Sequence, residues 1–234
     1  MDRVVQSEWL DELPADHPGA EGSRRDLRRL NAWMGNAANL ARALRRQFKN
    51  EPPSQILDLG AGDGRLMFGV ARQLVPYWRN VTAVLLDRQD SAETLLRADF
   101  ERLGWGLQMV QQDVIEFLKD NNGQGWDAVI ANLFLHHFAA GQLRELLGLA
   151  ARRARLFVAI EPRRSPRSLL FSRLVWLLGC NGVTRHDAPV SVRAGFRGAE
   201  LSRLWPANAL VLEERPAGLF SHLFVARGVA NEGA

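Results

Sequence analysis

The sequence predicts a single α/β domain, a mainly parallel sheet of seven strands flanked by helices and ending in an antiparallel hairpin, and three observations carry that prediction. From Gln55 onward, short apolar runs alternate with helix-like segments, the signature of βαβ units around a parallel sheet. The first run passes into a turn holding Gly60, Gly62 and Gly64, and then into a helix starting near Arg65. The last two runs are joined only by 214–221, too short for a crossover helix, so they pair antiparallel. With 234 residues, 47% of them hydrophobic, the chain can build one substantial core, and two full domains would be cramped.

The segment before Gln55 reads as helical in two pieces, parted by a loop over 14–22. The second piece, 26–48, sets Leu27, Leu30, Met34, Leu40 and Leu44 mostly three or four residues apart, an amphipathic pattern that Pro52-Pro53 stops. Strands are expected at 55–59, 81–86, 107–111, 126–131, 156–160, 209–213 and 222–227. Nearly fifty residues separate the fifth and sixth strands, far more than a connection needs, so they form a cap over a ligand. The expected organisation is a helical lid (1–54), a ligand-binding core (55–162), a cap or substrate insertion (163–208) and the hairpin (209–234).

Charge narrows the function classes. The net charge is only +4 although the isoelectric point is about 10.1, because the 30 basic residues include just two lysines, Lys49 and Lys119, and few groups titrate above neutrality. Arg24, Arg25, Arg28 and Arg29 are offset by nearby acids, and the denser runs at 152–155 and 163–167 read as solvated faces, so nucleic acid is disfavoured as a partner. The single Cys180 excludes an internal disulfide and a multi-cysteine metal site. No apolar stretch reaches the ~18 residues that span a bilayer; 169–183 comes closest and carries Arg173. The expectation is a cytoplasmic protein without membrane insertion, monomeric or homodimeric.

The chemistry concentrates at the carboxyl ends of the strands, where open α/β sheets bind ligands. Asp58 ends the first strand, and the glycines after it allow a sharp turn and a close ligand approach, while the following helix start offers free N–H groups. A dinucleotide fingerprint needs glycine at 65, which is Arg65, and no Gly-Lys-Ser/Thr follows for a nucleotide-triphosphate loop. Asp87 ends the second strand beside that turn and suits the two hydroxyls of a ribose. Asp113 and the N–H of Val114 follow the third strand and suit an adenine edge, although Asp113 reads equally as a helix cap. Asn132 ends the fourth strand and runs into Leu133-Phe134-Leu135-His136-His137, where a reacting centre would sit.

Together these motifs resemble the class I S-adenosylmethionine-dependent methyltransferases, particularly those acting on small molecules; the resemblance covers 56–162. It implies the Rossmann-like fold with the seventh strand inserted antiparallel between the fifth and sixth. It also implies S-adenosylmethionine as cofactor, with Asp58, Gly60 and Gly62 near the methionine moiety, Asp87 on the ribose, Asp113 and Val114 on the adenine, and Asn132 near the transferred methyl. Arg88 stands where many relatives carry an apolar residue against the adenine, so it either stacks through its guanidinium or points away.

Methyl transfer from a sulfonium is an in-line displacement that needs alignment, exclusion of water and, for a hydroxyl or protonated amine, a base. His136 and His137 are the first candidates for that base and His186, beside Asp187, the next; each reads equally well as a cap or packing residue. The five histidines form no recognisable ligand motif, so no metal is expected. Aromatic residues in the insertion, among them Phe171, Trp176 and Trp205, suit a small flat acceptor. The expected reaction is methylation, on oxygen, of a small aromatic or natural-product-like metabolite. An RNA or protein methyltransferase and a non-catalytic S-adenosylmethionine-binding protein are the alternatives.

Overall fold

The computed structural model describes residues 1–14, 16–49, 51–89, 93–120 and 125–229, with the side chains of all but 93–95 among them. Its strands are β1 (Gln55–Leu59), β2 (Thr82–Asp87), β3 (Gly106–Gln111), β4 (Trp126–Asn132), β5 (Ala154–Pro162), β6 (Val211–Ala217) and β7 (Ser221–Arg227). They form one sheet of order β3-β2-β1-β4-β5-β7-β6. The first five run parallel, and β7 lies antiparallel to both β5 and β6, as the short connection requires. This is the Rossmann-like sheet that the sequence predicts.

The helices are α1 (Trp9–Glu12), α2 (Pro18–Met34), α3 (Asn36–Phe48), α4 (Arg65–Leu74), α5 (Glu93–Arg102), α6 (Val114–Asp120), α7 (Ala140–Arg153), α8 (Pro166–Ser172) and α9 (Gly182–Ala194). Alternation along the strands splits the core in two. One face buries Ile56, Ile130 and Val158 under Leu40 and Leu44 of α3 and Met67 and Val70 of α4. The other buries Leu57, Leu59 and Val129 under Phe117 of α6 and Leu143 and Leu146 of α7. Central strands buried on both faces explain the unbroken apolar runs in the sequence.

Three boundaries differ from expectation. The loop expected over 14–22 is helical from Pro18, because the His17 side chain accepts from the Gly19 N–H and proline suits the first helical position; Ala15 lies outside the described residues. The helix expected over 26–48 breaks at Gly35, whose φ of +67° ends α2 and turns the chain into α3. The sixth strand occupies 211–217 rather than 209–213 and runs through Pro216, which the sheet edge tolerates since no neighbour needs its missing N–H. The expected hairpin boundary extends into 230–234, outside the described residues.

The insertion after β5 folds as α8, a 3-10 turn (Val175–Leu178) and α9. It is tied to α2 by Asp26, a buried acid whose Oδ2 accepts from the Asn181 N–H at 2.8 Å and the Thr184 hydroxyl at 3.1 Å. Among the described residues no helix is long and apolar enough to cross a membrane.

Candidate functional site

Asp58, Asp87 and Asn132 all continue the alternation of the α3/α4 face, so their side chains emerge on the same side at the carboxyl ends of three adjacent strands. Between them runs the turn 60–64, whose three glycines have φ of +66°, +55° and +68°, backbone that L side chains adopt only at a cost. The Gly62 N–H donates to Asp87 Oδ2 at 2.8 Å, locking the turn to the end of β2, and Asp87 Oδ1 accepts from Gln89 N–H at 2.9 Å.

Asp58 and Asn132 are under-satisfied. Asp58 is 1% exposed, and among the described residues neither its Oδ2 nor the buried Asn132 Oδ1 has a hydrogen-bond partner. Burial, reinforced by the nearby Asp87 charge, pushes the Asp58 carboxyl up to about 8. Buried polar groups are ordinarily paired, and two lone acceptors beside one turn suit a ligand that brings donors. The Asn132 Nδ2 is held by Asn31 Oδ1 of α2 at 3.2 Å.

On the other face, at the end of β5 and in the loop after β4, Glu161 and His136 are fully paired, while the neighbouring buried His222 bonds Glu214 through Nε2 only among the described residues. Leu133 takes a left-handed φ of +51°, a conformation that costs a non-glycine residue about 1–2 kcal/mol. The turn swings Phe134 over the glycine loop, so that a Cβ on Gly60 would meet its ring at 2.1 Å. Glu161, fully buried at the end of β5, stabilises this strained loop by accepting from the N–H groups of Phe134, Leu135 and His136 at 3.0, 2.8 and 3.2 Å. It also bonds His136 Nδ1 at 2.8 Å, while His136 Nε2 faces Glu8 at 3.3 Å. Burial alone would push this imidazole down, but its hydrogen bonds to Glu161 and Glu8 outweigh it and raise it to about 9.

The three histidines singled out from the sequence converge on one short N-terminal segment. His136 holds Glu8; His137 Nδ1 lies 3.0 Å from Asp11; the His186 ring stacks on Trp9 with centroids 3.8 Å apart. Asp187 bonds His186 Nδ1 at 2.8 Å and caps α1 by accepting from the N–H groups of Trp9 and Leu10. His136, 2% exposed with both ring nitrogens facing carboxylates, is a brace rather than a free base. Glu8, His136 and His137 each bring one donor atom within 4.8 Å of the others, the single grouping of this kind among the described residues.

The remaining candidates divide. Asp113 Oδ1 caps α6 through the N–H groups of Ile115 and Glu116, and Val114 is buried in the core. Arg88 is exposed, and among the described residues only its carbonyl is engaged, by Gln111 Nε2 at 3.2 Å. Over the turn lies α2: Arg28 pairs with Asp63 at 2.6 Å and Arg24 bonds Gln89 at 3.2 Å. Sequence reasoning missed Glu161, Glu8, Asn31 and Phe134. An acid ending an apolar strand before Pro162 was the one visible signal for Glu161.

Residues 56–155 match the family described as a methyltransferase domain. No curated protein matches the chain. Among solved structures, the plantazolicin methyltransferase BpumL in complex with SAH aligns with a TM-score of 0.65 at 12% identity, over 91% of each chain. The mitomycin 7-O-methyltransferase MmcR aligns at 0.61 and 17% identity, over 95% of this chain and 61% of that one. An O-methyltransferase family protein from Burkholderia thailandensis aligns at 0.58 and 17%, over 92% of this chain and 62% of that one. The chain thus spans less than two thirds of the last two. At such identities the likeness establishes the fold.

Proposed function

We propose that the chain is an S-adenosylmethionine-dependent methyltransferase that methylates a small aromatic metabolite on oxygen; the match of residues 56–155 to a methyltransferase domain and the Rossmann-like strand order support the reading. The observation that carries the cofactor's placement is the pair of unpartnered buried acceptors, Asp58 Oδ2 and Asn132 Oδ1, beside the glycine turn. A site lined by acceptors alone selects a ligand with donors, and the α-ammonium of the methionine moiety is cationic and offers three. It would take over from the proton that burial keeps on Asp58 near neutrality.

The other positions follow from that anchor. Gly60 and Gly62 let the methionine backbone lie against the turn, Asp87 keeps lone pairs for the ribose diol beyond its two N–H bonds, and Asp113 and Val114 border the adenine with Arg88 at its edge. Asn132 and Phe134 border the sulfonium methyl, the ring walling off water. For a hydroxyl acceptor, the candidate base is His186, whose Nδ1 is held by Asp187 so that Nε2 can accept a proton. His137, partly exposed, is the second candidate.

Calorimetry with S-adenosylhomocysteine and mass spectrometry of reactions with S-adenosylmethionine and a panel of phenols test the reading together. Asp58→Asn should weaken S-adenosylhomocysteine by about 10- to 100-fold, the loss of a charge-assisted hydrogen bond. Wild-type binding without turnover on any small acceptor would favour a non-catalytic binder, and transfer to RNA or protein alone would sink the proposal.

A further inference from the structure

We propose that the face built by α8, the 3-10 turn after it, the end of α2 and the β6–β7 turn docks the protein on the surface of an anionic lipid bilayer. Large apolar side chains stand out on all four pieces: Trp33 (63% exposed), Leu170 (58%), Trp176 (53%), Leu177 (63%) and Leu219 (56%). They belong to one surface. The Phe220 ring lies 5.0 Å from Trp33 and 5.3 Å from Phe171, joining the hairpin turn to α2 and to α8. Arg29 donates to the Leu178 carbonyl at 2.9 Å, joining the 3-10 turn to α2. A shallow cleft of about 330 Å³ runs between Trp33, Met34 and residues 217–221. Single exposed apolar residues are ordinary, whereas a connected apolar surface with two tryptophans marks an interaction.

Charge selects the occupant. Residues 163–178, which form α8, the 3-10 turn and their approaches, hold four arginines and no Asp or Glu. Arg164 is buried against Glu200, but Arg167 on α8 and Arg173 just after it are exposed and take part in no ion pair among the described residues. A second copy of this chain, packed through a two-fold axis, would set these arginines against themselves. An anionic headgroup layer meets them with opposite charge, accepts the Leu and Phe side chains a few ångströms deep, and suits tryptophan at its boundary. No helix has to span the bilayer.

Co-sedimentation of the full chain with vesicles tests this, with phosphatidylcholine alone compared with phosphatidylcholine mixed with phosphatidylglycerol. Binding to the mixed vesicles is expected, weaker on phosphatidylcholine alone and weaker as salt rises. Leu170→Glu with Leu177→Glu should lower it by about tenfold or more, and Arg167→Gln and Arg173→Gln by about fivefold each. All four side chains are exposed, so the melting temperature should not move; methyl-transfer activity on a soluble acceptor gives an independent readout of an intact site. Failure to bind anionic vesicles, equal binding to neutral ones, or a dimer that Leu177→Glu dissolves would overturn the proposal.

Discussion

Two groups of buried polar side chains stand at the carboxyl end of the sheet, on opposite faces, and differ in how completely they are paired. On one face Glu161 accepts from three backbone N–H groups and from His136, which faces Glu8 on its other side. On the other, Asp58 Oδ2 and Asn132 Oδ1 have no partner among the described residues. Both groups are desolvated, so the contrast lies in what compensates each. The paired face holds the loop after β4 and fastens the N-terminal segment to it, which is work for the fold. The unpaired face keeps acceptors in reserve, which makes sense when a ligand supplies the donors. Substitutions should therefore cost stability on the first face and affinity on the second.

The largest effect is expected from Glu161→Ala. It strands three buried N–H groups and a buried imidazole, and breaking such a network typically costs about 3–5 kcal/mol. Urea unfolding would read this directly; a loss below about 1 kcal/mol would place Glu161 with exposed, dispensable charges and erase the contrast. Asp58→Asn should leave the ligand-free protein no less stable, because it removes a desolvated acid without breaking a bond.

The two faces also respond to pH over different ranges. His136 sits at about 9, above the ordinary imidazole value near 6.5, so its stabilisation is complete below pH 6.5 and is lost as pH rises through 9, about 3 kcal/mol in all. Asp58, at about 8, is also raised, so the ligand-free fold loses stability as pH climbs from the carboxylate range toward 8. A bound ammonium should reverse the second effect and leave the first. Unfolding free energies measured from pH 5 to 10, with and without S-adenosylhomocysteine, should show the ligand flattening only the lower limb, and His136→Asn flattening only the upper. A ligand that left both limbs unchanged would separate Asp58 from the binding site.

The sequence was most informative where one residue type has one use. The glycine turn, the acid ending β2 and the short terminal connection each admit few structures; the strand order came from the family resemblance they support. Local capping was harder to read: the His17 cap and Gly35 are single residues whose effect depends on neighbours, and the strand shifted to 211–217 lies at an edge where pairing constrains one side only. For the candidate site, alternation put Asp58, Asp87 and Asn132 at strand ends, but nothing local paired His136 with Glu8, 128 residues away. Contacts of that span appear only after folding. The histidine pair was found, and its partners on the N-terminal segment, hence its bracing role, were not.

Asn31 sits where the contrast between the faces is weakest, and its removal should have the smallest effect. Its Oδ1 accepts from Asn132 Nδ2 at 3.2 Å and from Asn36 Nδ2 at 2.8 Å, and Asn36 Oδ1 in turn accepts from the Ser221 hydroxyl at 2.9 Å. One amide thus links the helix over the turn to the residue bordering the methyl and to the start of α3. Asn31→Ala removes two neutral hydrogen bonds at a partly buried position, which should lower stability by about 1 kcal/mol. It also frees the Asn132 amide to rotate, so orientation near the methyl should suffer more than cofactor affinity. The expected pattern is a drop in kcat of several-fold with S-adenosylhomocysteine affinity changed less than in Asp58→Asn. If affinity fell as far as in Asp58→Asn, Asn31 would belong to the cofactor anchor itself, and the boundary between the paired and unpaired faces would run through α2 rather than along the end of β4.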